Sequence, residues 1–343
     1  MNQPVSTPYA STPSTGSTPH SSYIGTIEAV LDPLIPRGAS VALFDFPNHQ
    51  NVGDSAIWLG EEAYLAKKSH IRVLAVTKLG QLPDLPKSTV ILIHGGGNFG
   101  DLWPHHQIFR ENIVAHYPHH RIIQLPQSIH FDKSENQAQC RTIFNRHTDF
   151  HLLVRDRDSL EQGQRLHDGS TQLCPDMALC LEHLPRSKAP SHPIVGLLRT
   201  DKERVTAELA PEYADKLKVC DWLQEPASAT QRVTARVERL QANYPRWTNR
   251  LYALKRHLYH RLAMQRLRRG CDILSSGQVV ITDRLHGHIL CTLMGIPHVV
   301  LDNRYRKIGN FREAWGTGQG FCQAATTLEE AVCKAQLLRD NIR

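Results

Sequence analysis

The stretch from Val279 to Asn303, VVITDRLHGHILCTLMGIPHVVLDN, decides the fold. A β-rich apolar run ends in an acid, a guanidinium and an imidazole (Asp283, Arg284 and His286), and a second apolar run starts at once. The pattern reads as a strand entering a helix, with a further strand at HVVLDN. In open α/β sheets, ligands bind at the carboxyl ends of the strands, which is where these polar residues fall. A plain helix start would also account for them, with Asp283 as cap and Arg284 and His286 solvated. The rest of the chain weighs against so simple a role.

Upstream, short runs rich in Val, Ile and Leu alternate with helical or loop segments: SVALFDF from Ser40, IRVLAVT from Ile71, TVILIHGGG from Thr89, RIIQLPQS from Arg121 and FHLLVRD from Phe150. Between the first two, DSAIWLGEEAYLAKK has helical spacing, with Asp54 or Ser55 as cap. Continuous apolar runs of this kind suit strands buried on both faces of a parallel sheet. Pro, Ser and Lys interrupt the pattern at LEHLPRSKAPSHP, before a second series at IVGLLRTD, KVCDWL, QVVITDR and HVVLDN. The chain is therefore expected to form two α/β domains joined near residues 184–193. A Ser/Thr/Pro-rich tail over 1–22 is expected to be disordered. The first domain is expected over 23–187 and the second over 188–326, the latter containing a basic helical segment at 227–270. A C-terminal helix over 327–343 is expected to pack back across the domains.

The chain has 343 residues, room for two ordinary domains. No apolar run approaches the roughly 18 residues of a membrane span. The start, MNQPVSTPYASTPSTGSTPHSS, lacks the basic end and apolar centre of a signal peptide. With eight scattered cysteines and no C-x-x-C pair, the expectation is a cytoplasmic protein with reduced thiols and no structural metal. The formal charge of +7 is uneven, since Pro245–Gly270 holds many Arg and Lys and no acid. Its leucines recur at helical spacing. Such a helix can serve an anionic ligand or lie against an anionic membrane at the inner face of the plasma membrane. No nucleic-acid-binding motif accompanies it, so no nucleic-acid partner is expected.

Most strands end in residues that a turn does not need. Asn51, Gly53 and Asp54 follow the first. Gly95, Gly96, Gly97 and Asn98 follow another, where glycines would let the backbone approach a ligand. Gln127 and Ser128 end RIIQLPQS, Arg155 ends FHLLVRD, and Arg199 and Asp201 end IVGLLRTD. Three arginines at separate strand ends, Arg155, Arg199 and Arg284, suit a small ligand carrying carboxylate or phosphate.

These residues resemble the polysaccharide pyruvyl transferases. The resemblance rests on NVGDSAI, HGGGNFGDLWPHHQ, IIQLPQSIHF, LVRDRDS, CPDMAL, LLRTDKE and ITDRLHGHILCTLMGIPHVVLDNRYRKIGNF, and it covers nearly all the chain after the tail. It implies two Rossmann-like domains facing a central cleft, similar to the GT-B glycosyltransferases. It also implies transfer of a pyruvyl group from phosphoenolpyruvate to two hydroxyls of a sugar, with a cyclic ketal formed and phosphate released. The acceptor would belong to a polysaccharide or its lipid-linked precursor. No metal or cofactor is implied beyond the donor substrate.

On this reading His286 is the candidate general acid or base, Arg284 holds phosphate or carboxylate, and Arg155 clamps the other anionic end. Asp54 and His106 are candidates for hydroxyl deprotonation or acceptor positioning, with His105 adjacent and open. The opposite assignment, His286 on the donor phosphate and Asp54 as base, also stands. The expected binding set adds Arg199, Gly95, Gly96, Gly97, Asn98, Asn51, Gln127, Leu285 and Lys307. Two other functions fit parts of the pattern: a GT-B glycosyltransferase using a nucleotide sugar, and a non-catalytic membrane- or anion-binding protein.

Overall fold

A computed structural model describes residues 19–200, 216–244, 251–302, 305–318 and 320–341. Asp201, residues 1–18 of the tail and the opening of the basic segment at 245–250 lie outside them.

Helix α1, Pro19–Leu31, begins inside the stretch expected to be a disordered tail. Tyr23, Ile27 and Leu31 recur every fourth residue and bury one stripe in the main core. The Tyr23 hydroxyl also donates to the carbonyl of Trp315 at 3.1 Å. That anchoring is why order starts earlier than composition alone indicates.

The first sheet holds β1 (Ser40–Phe46), β2 (Arg72–Lys78), β3 (Val90–Ile93), β4 (Gly96–Gly100), β5 (Ile122–His130), β6 (Phe150–Val154) and β7 (Ser170–Leu173). Its order is β2-β1-β3-β5-β6-β7, with β4 against β5, and every pairing is parallel. Helices α2 (Val52–Lys67), α3 (Pro104–His116), α4 (Ser134–Phe144) and α5 (Arg157–Leu166) connect these strands. The glycine run is therefore not a plain turn: Gly96 and Gly97 open a strand of their own. Asn51, rather than Asp54 or Ser55, caps α2, accepting from the Gly53 amide at 3.1 Å.

The second sheet, order β12-β11-β10-β8-β9, is also parallel throughout. It comprises β8 (His192–Leu197), β9 (Lys218–Cys220), β10 (Gly277–Thr282), β11 (His298–Leu301) and β12 (Cys322–Ala325). Helices α6 (Ala229–Asn243), α7 (Tyr252–Ser275), α8 (Leu285–Leu293), α9 (Lys307–Trp315) and α10 (Leu328–Asp340) accompany it. The last helix does not cross between the sheets. Leu328, Ala331, Val332 and Ala335 bury against Val279, Ile281, Val299 and Leu301 of the second sheet.

The basic segment packs against elements of both sheets. Helix α7 packs on α2 and β2 of the first sheet as well as on β8, β10 and α8. Tyr259 lies fully buried and stacked on Phe46, ring centroids 3.8 Å apart. The missing acids come from elsewhere in the chain. Glu225 accepts from Arg266 at 2.7 Å, and Glu62 receives Arg256 and His260. Arg266 is 2% exposed and donates to the Pro47 carbonyl, while Arg269 donates to the carbonyls of Gln50 and Trp222. These two arginines are committed to the fold and cannot face a membrane, unlike the exposed Arg261 and Arg268. Among the described residues, no helix is long and apolar enough to cross a membrane.

Candidate active site

In each sheet the strand order reverses direction once, between β1 and β3 in the first and between β8 and β10 in the second. Chain segments leaving the carboxyl ends at such switch points splay apart and leave a crevice. A cavity of about 380 Å³ lies there, lined by residues in or after β4 and by residues that follow β1, β6, β8, β9, β10 and β11. Its size suits a small ligand.

Arg155 leaves β6 almost completely buried. Its Nε donates to Ser128 Oγ at 2.9 Å and its Nη1 to Asp176 Oδ2 at 2.7 Å. The Ser128 hydroxyl donates in turn to Asp156, the cap of α5. The guanidinium is thereby locked in one orientation. Its Nη2 faces Gly97, where an ideal Cβ would sit 3.0 Å from Nη2 and 3.5 Å from Lys307 Nζ. A side chain at residue 97 would crowd the Arg155 guanidinium at the cavity wall.

His286, in the first turn of α8, turns Nε2 toward Asp176 Oδ2 at 3.4 Å, a loose charge contact without hydrogen-bond alignment. Its Nδ1 lies on the Gly53 side. Asp176 is fully buried. Burial pushes its carboxyl up, but His286 and Arg155 outweigh that and hold it well below the usual carboxylate range. One carboxylate thus faces the guanidinium that follows β6 and the imidazole that follows β10.

Asp54 Oδ2 accepts from Asn51 Nδ2 at 2.9 Å and lies 3.5 Å from His49 Nε2. Burial raises its pKa, while His49, His286, His94 and His106 together pull it below its ordinary value. His94 belongs to this set because Glu61 lies 2.9 Å from its Nδ1. Burial opposes the imidazolium there, but Glu61 prevails and raises the pKa of His94.

Arg284 donates through Nη2 to both oxygens of Asp221, at 2.7 and 2.8 Å, and lies over the Trp222 ring. Asp283 does not cap α8. Its carboxylate accepts from the Arg199 amide at 2.9 Å, tying the ends of β8 and β10, and burial pushes its pKa up to about 6 against the pull of Arg284. On the opposite wall His106 Nδ1 lies 2.9 Å from Asp45 Oδ2, while the adjacent His105 ring is exposed beside Trp103.

Asn51, Asp54, Gly97, Asn98, His105, His106, Arg155, Arg199, Arg284, Leu285, His286 and Lys307 all line the cavity. Gly95, Gly96 and Gln127 do not. Gln127 is fully buried, its amide donating to the His94 carbonyl and to Asn98 Oδ1, so it braces the glycine strand from behind. Sequence reasoning missed His49, Gln50, Trp103, Trp222 and Leu223 on the wall, and Asp45 and Asp176 behind it. Asp176 was within sight in CPDMAL. Asp45 was hidden inside a strand pattern.

Among the described residues, His288, His298 and Cys322 place three donor atoms within 4.8 Å of one another. The two imidazoles are only 2.7 Å apart, closer than the roughly 3.3 Å that two nitrogen ligands on a tetrahedral zinc would leave. Outer partners complete a hydrogen-bonded chain: His298 Nδ1 donates to the Ile296 carbonyl, and His288 Nε2 meets Thr317 Oγ1. The cluster joins α8 to β11 as a proton-ordered link.

The family model described as polysaccharide pyruvyl transferase matches residues 51–305. EpsO of Bacillus subtilis, whose name carries a provisional pyruvyl transferase assignment, is 32% identical over 296 residues, spanning 85% of this chain and 90% of that one. Pyruvyl transferase 1 of Schizosaccharomyces pombe is 32% identical over 301 residues, 80% of this chain and 69% of that one. An uncharacterised Klebsiella pneumoniae protein of solved structure superposes with a TM-score of 0.60 at 17% identity, covering 89% of this chain and 99% of that one, which shows a shared fold. With the matched segment running from the cap of α2 to the entrance of α9, and so through most strands of both sheets and most of the cavity lining, the chain belongs to the polysaccharide pyruvyl transferase family.

Proposed function

We propose that the chain transfers a pyruvyl group from phosphoenolpyruvate to two hydroxyls of a sugar, in a polysaccharide or its lipid-linked precursor, closing a cyclic ketal and releasing phosphate. The observation that carries this reading is the meeting of Arg155, Arg199, Arg284 and Lys307 with His286 and His106 around one cavity. Phosphoenolpyruvate presents a carboxylate and a phosphate on one small frame, which several convergent cations suit. On this reading the two sheets mark two Rossmann-like domains, dividing near 184–193 and facing a cleft as in GT-B glycosyltransferases.

The atoms balance without a redox partner. One hydroxyl proton ends on the enol methylene, which becomes the ketal methyl. The other leaves on phosphate as hydrogen phosphate. His286 delivers the proton to the methylene, and the central carbon gains oxocarbenium character as the bond to phosphate breaks. Asp54, held ionised by its histidine neighbours, is a weak base and suits stabilising that carbon and positioning a hydroxyl. Arg155 and Arg284 hold the donor's anionic ends.

The test is incubation with phosphoenolpyruvate and a panel of synthetic and lipid-linked glycosides. The expected result is phosphate release matched by a pyruvyl-ketal mass gain on a glycoside. Failure to bind phosphoenolpyruvate, with turnover of a uridine or guanosine diphosphate sugar instead, would replace this reading with a glycosyltransferase.

A further inference from the structure

Asp45 sits near the end of β1 in the left-handed region, φ 70°, one of three non-glycine residues with positive φ among those described. The pairing of β1 with β2 slips its register between Leu43 and Phe46, around this residue. Such a backbone is strained for a side-chain-bearing residue, and strain of this kind collects at functional sites. The side chain is as unusual as the backbone. Asp45 is 2% exposed, Oδ2 meets His106 Nδ1 at 2.9 Å, and Oδ1 is buried with no hydrogen-bond partner. Buried carboxylate oxygens are as a rule hydrogen-bonded, so the lone Oδ1 sets this residue apart. This one directs its single hydrogen bond at the imidazole on the cavity wall.

We propose that Asp45 is the positioning residue of the acceptor-side base: its carboxylate holds His106 as the Nδ1–H tautomer, which leaves Nε2 to take a proton from a sugar hydroxyl. The role rests on the pyruvyl-transfer reading. As the hydroxyl oxygen bonds to the central pyruvyl carbon, its proton passes to His106 Nε2. The imidazolium so formed is stabilised by Asp45, the division of labour seen wherever an aspartate orients a catalytic histidine. His106 then returns the proton to the departing phosphate. His286 also faces an aspartate, Asp176, through Nε2 at the looser distance of 3.4 Å, with Nδ1 on the side of Gly53. The two hydroxyl protons and the two proton destinations of the reaction thus have one histidine–aspartate pair on each wall.

The decisive pair of variants is Asp45→Asn and Asp45→Gly. Glycine accepts φ 70° at ease, so Asp45→Gly would keep activity if residue 45 merely served the bend in β1. The expected result is a loss of acceptor turnover of about a hundredfold or more in both variants, with phosphoenolpyruvate affinity within threefold of wild type. Adding His106→Gln to either should cost little more, since the pair acts as a unit. Asp45→Gly within threefold of wild-type turnover would overturn the proposal. Nitrogen-15 spectra of the histidines, with the His106 signal assigned by its loss in His106→Gln, read the same claim without any substrate. The expected result is Nδ1–H in wild type and a return to Nε2–H, the usual form in water, in Asp45→Gly. A wild-type His106 in the Nε2–H form, or a tautomer unmoved by Asp45→Gly, overturns it. Absence of pyruvyl transfer by wild type alongside the expected tautomers would sink the reaction and leave the Asp45–His106 relationship standing.

Discussion

Gly53 and His286 occupy one another's space: an ideal Cβ on Gly53 would lie 2.4 Å from His286 Nδ1. The two residues come from the helix starts that follow β1 and β10, one in each sheet, so the imidazole is seated against the amino end of α2. Gly53→Ala should displace the ring while improving the local helix propensity. Turnover should fall at least about tenfold with the thermal midpoint little changed. A variant that turns over within threefold of wild type would show that the ring has room to move without consequence.

Asp176 should be the residue whose neutralisation the fold tolerates least. Asp176→Asn leaves the buried Arg155 guanidinium without its counter-charge, and breaking a buried pair in this way costs about 3–5 kcal/mol. Denaturant midpoints check the size of the loss. The milder Arg155→Lys keeps the charge but cannot reach Ser128 and Asp176 together, so it should weaken phosphoenolpyruvate binding about tenfold or more. Unchanged donor affinity in Arg155→Lys would remove Arg155 from the donor site.

The basic helix should divide cleanly by burial. Arg266→Gln leaves Glu225 with Arg269 alone, 3.4 Å away, and frees the Pro47 carbonyl, with an expected loss of about 1.5–3 kcal/mol. Gln at the exposed Arg261 and Arg268 should change stability by less than about 0.5 kcal/mol. If the helix also rests on a membrane, that double variant should lose binding to anionic vesicles at low salt. Wild-type protein that ignores such vesicles would confine α7 to its bracing role.

Acid should unfold the protein through its buried imidazoles. Burial and the neighbouring His298 hold His288 well below its ordinary value, and burial brings His298 down to about 4. Between pH 6.5 and about 4 the unfolded chain binds protons at these two sites that the folded chain refuses, so stability rises with pH across that window. It is fully present above pH 6.5 and falls as the medium is acidified. Each site contributes a slope on the order of 1 kcal/mol per pH unit. His298→Asn should flatten the dependence, measured as denaturant midpoint against pH. An unchanged slope would place the acid sensitivity elsewhere.

Several local readings shifted because side chains chose partners that spacing does not specify. Asn51 caps α2 three or four residues ahead of Asp54 and Ser55, where spacing suggests the cap, since a cap must stand outside the helix it closes. Asp283 has the composition of a cap but is drawn to the Arg199 amide across the sheet. Gln127 has the composition of a ligand-binding residue, yet it hydrogen-bonds Asn98 in the strand that carries the glycines.

The order of apolar runs and helical stretches, with polar residues at the strand ends, was determined by the sequence alone. Those signals repeat every two or every 3.6 residues and depend on neighbours along the chain. Where α7 finds its acids, why Asp45 twists against its own strand, and how Asp176 joins Arg155 to His286 were decided only in three dimensions. Each depends on a buried charge meeting a partner from a distant segment. Such a pairing leaves no period to read, and its energy exists only once packing has excluded water from both groups.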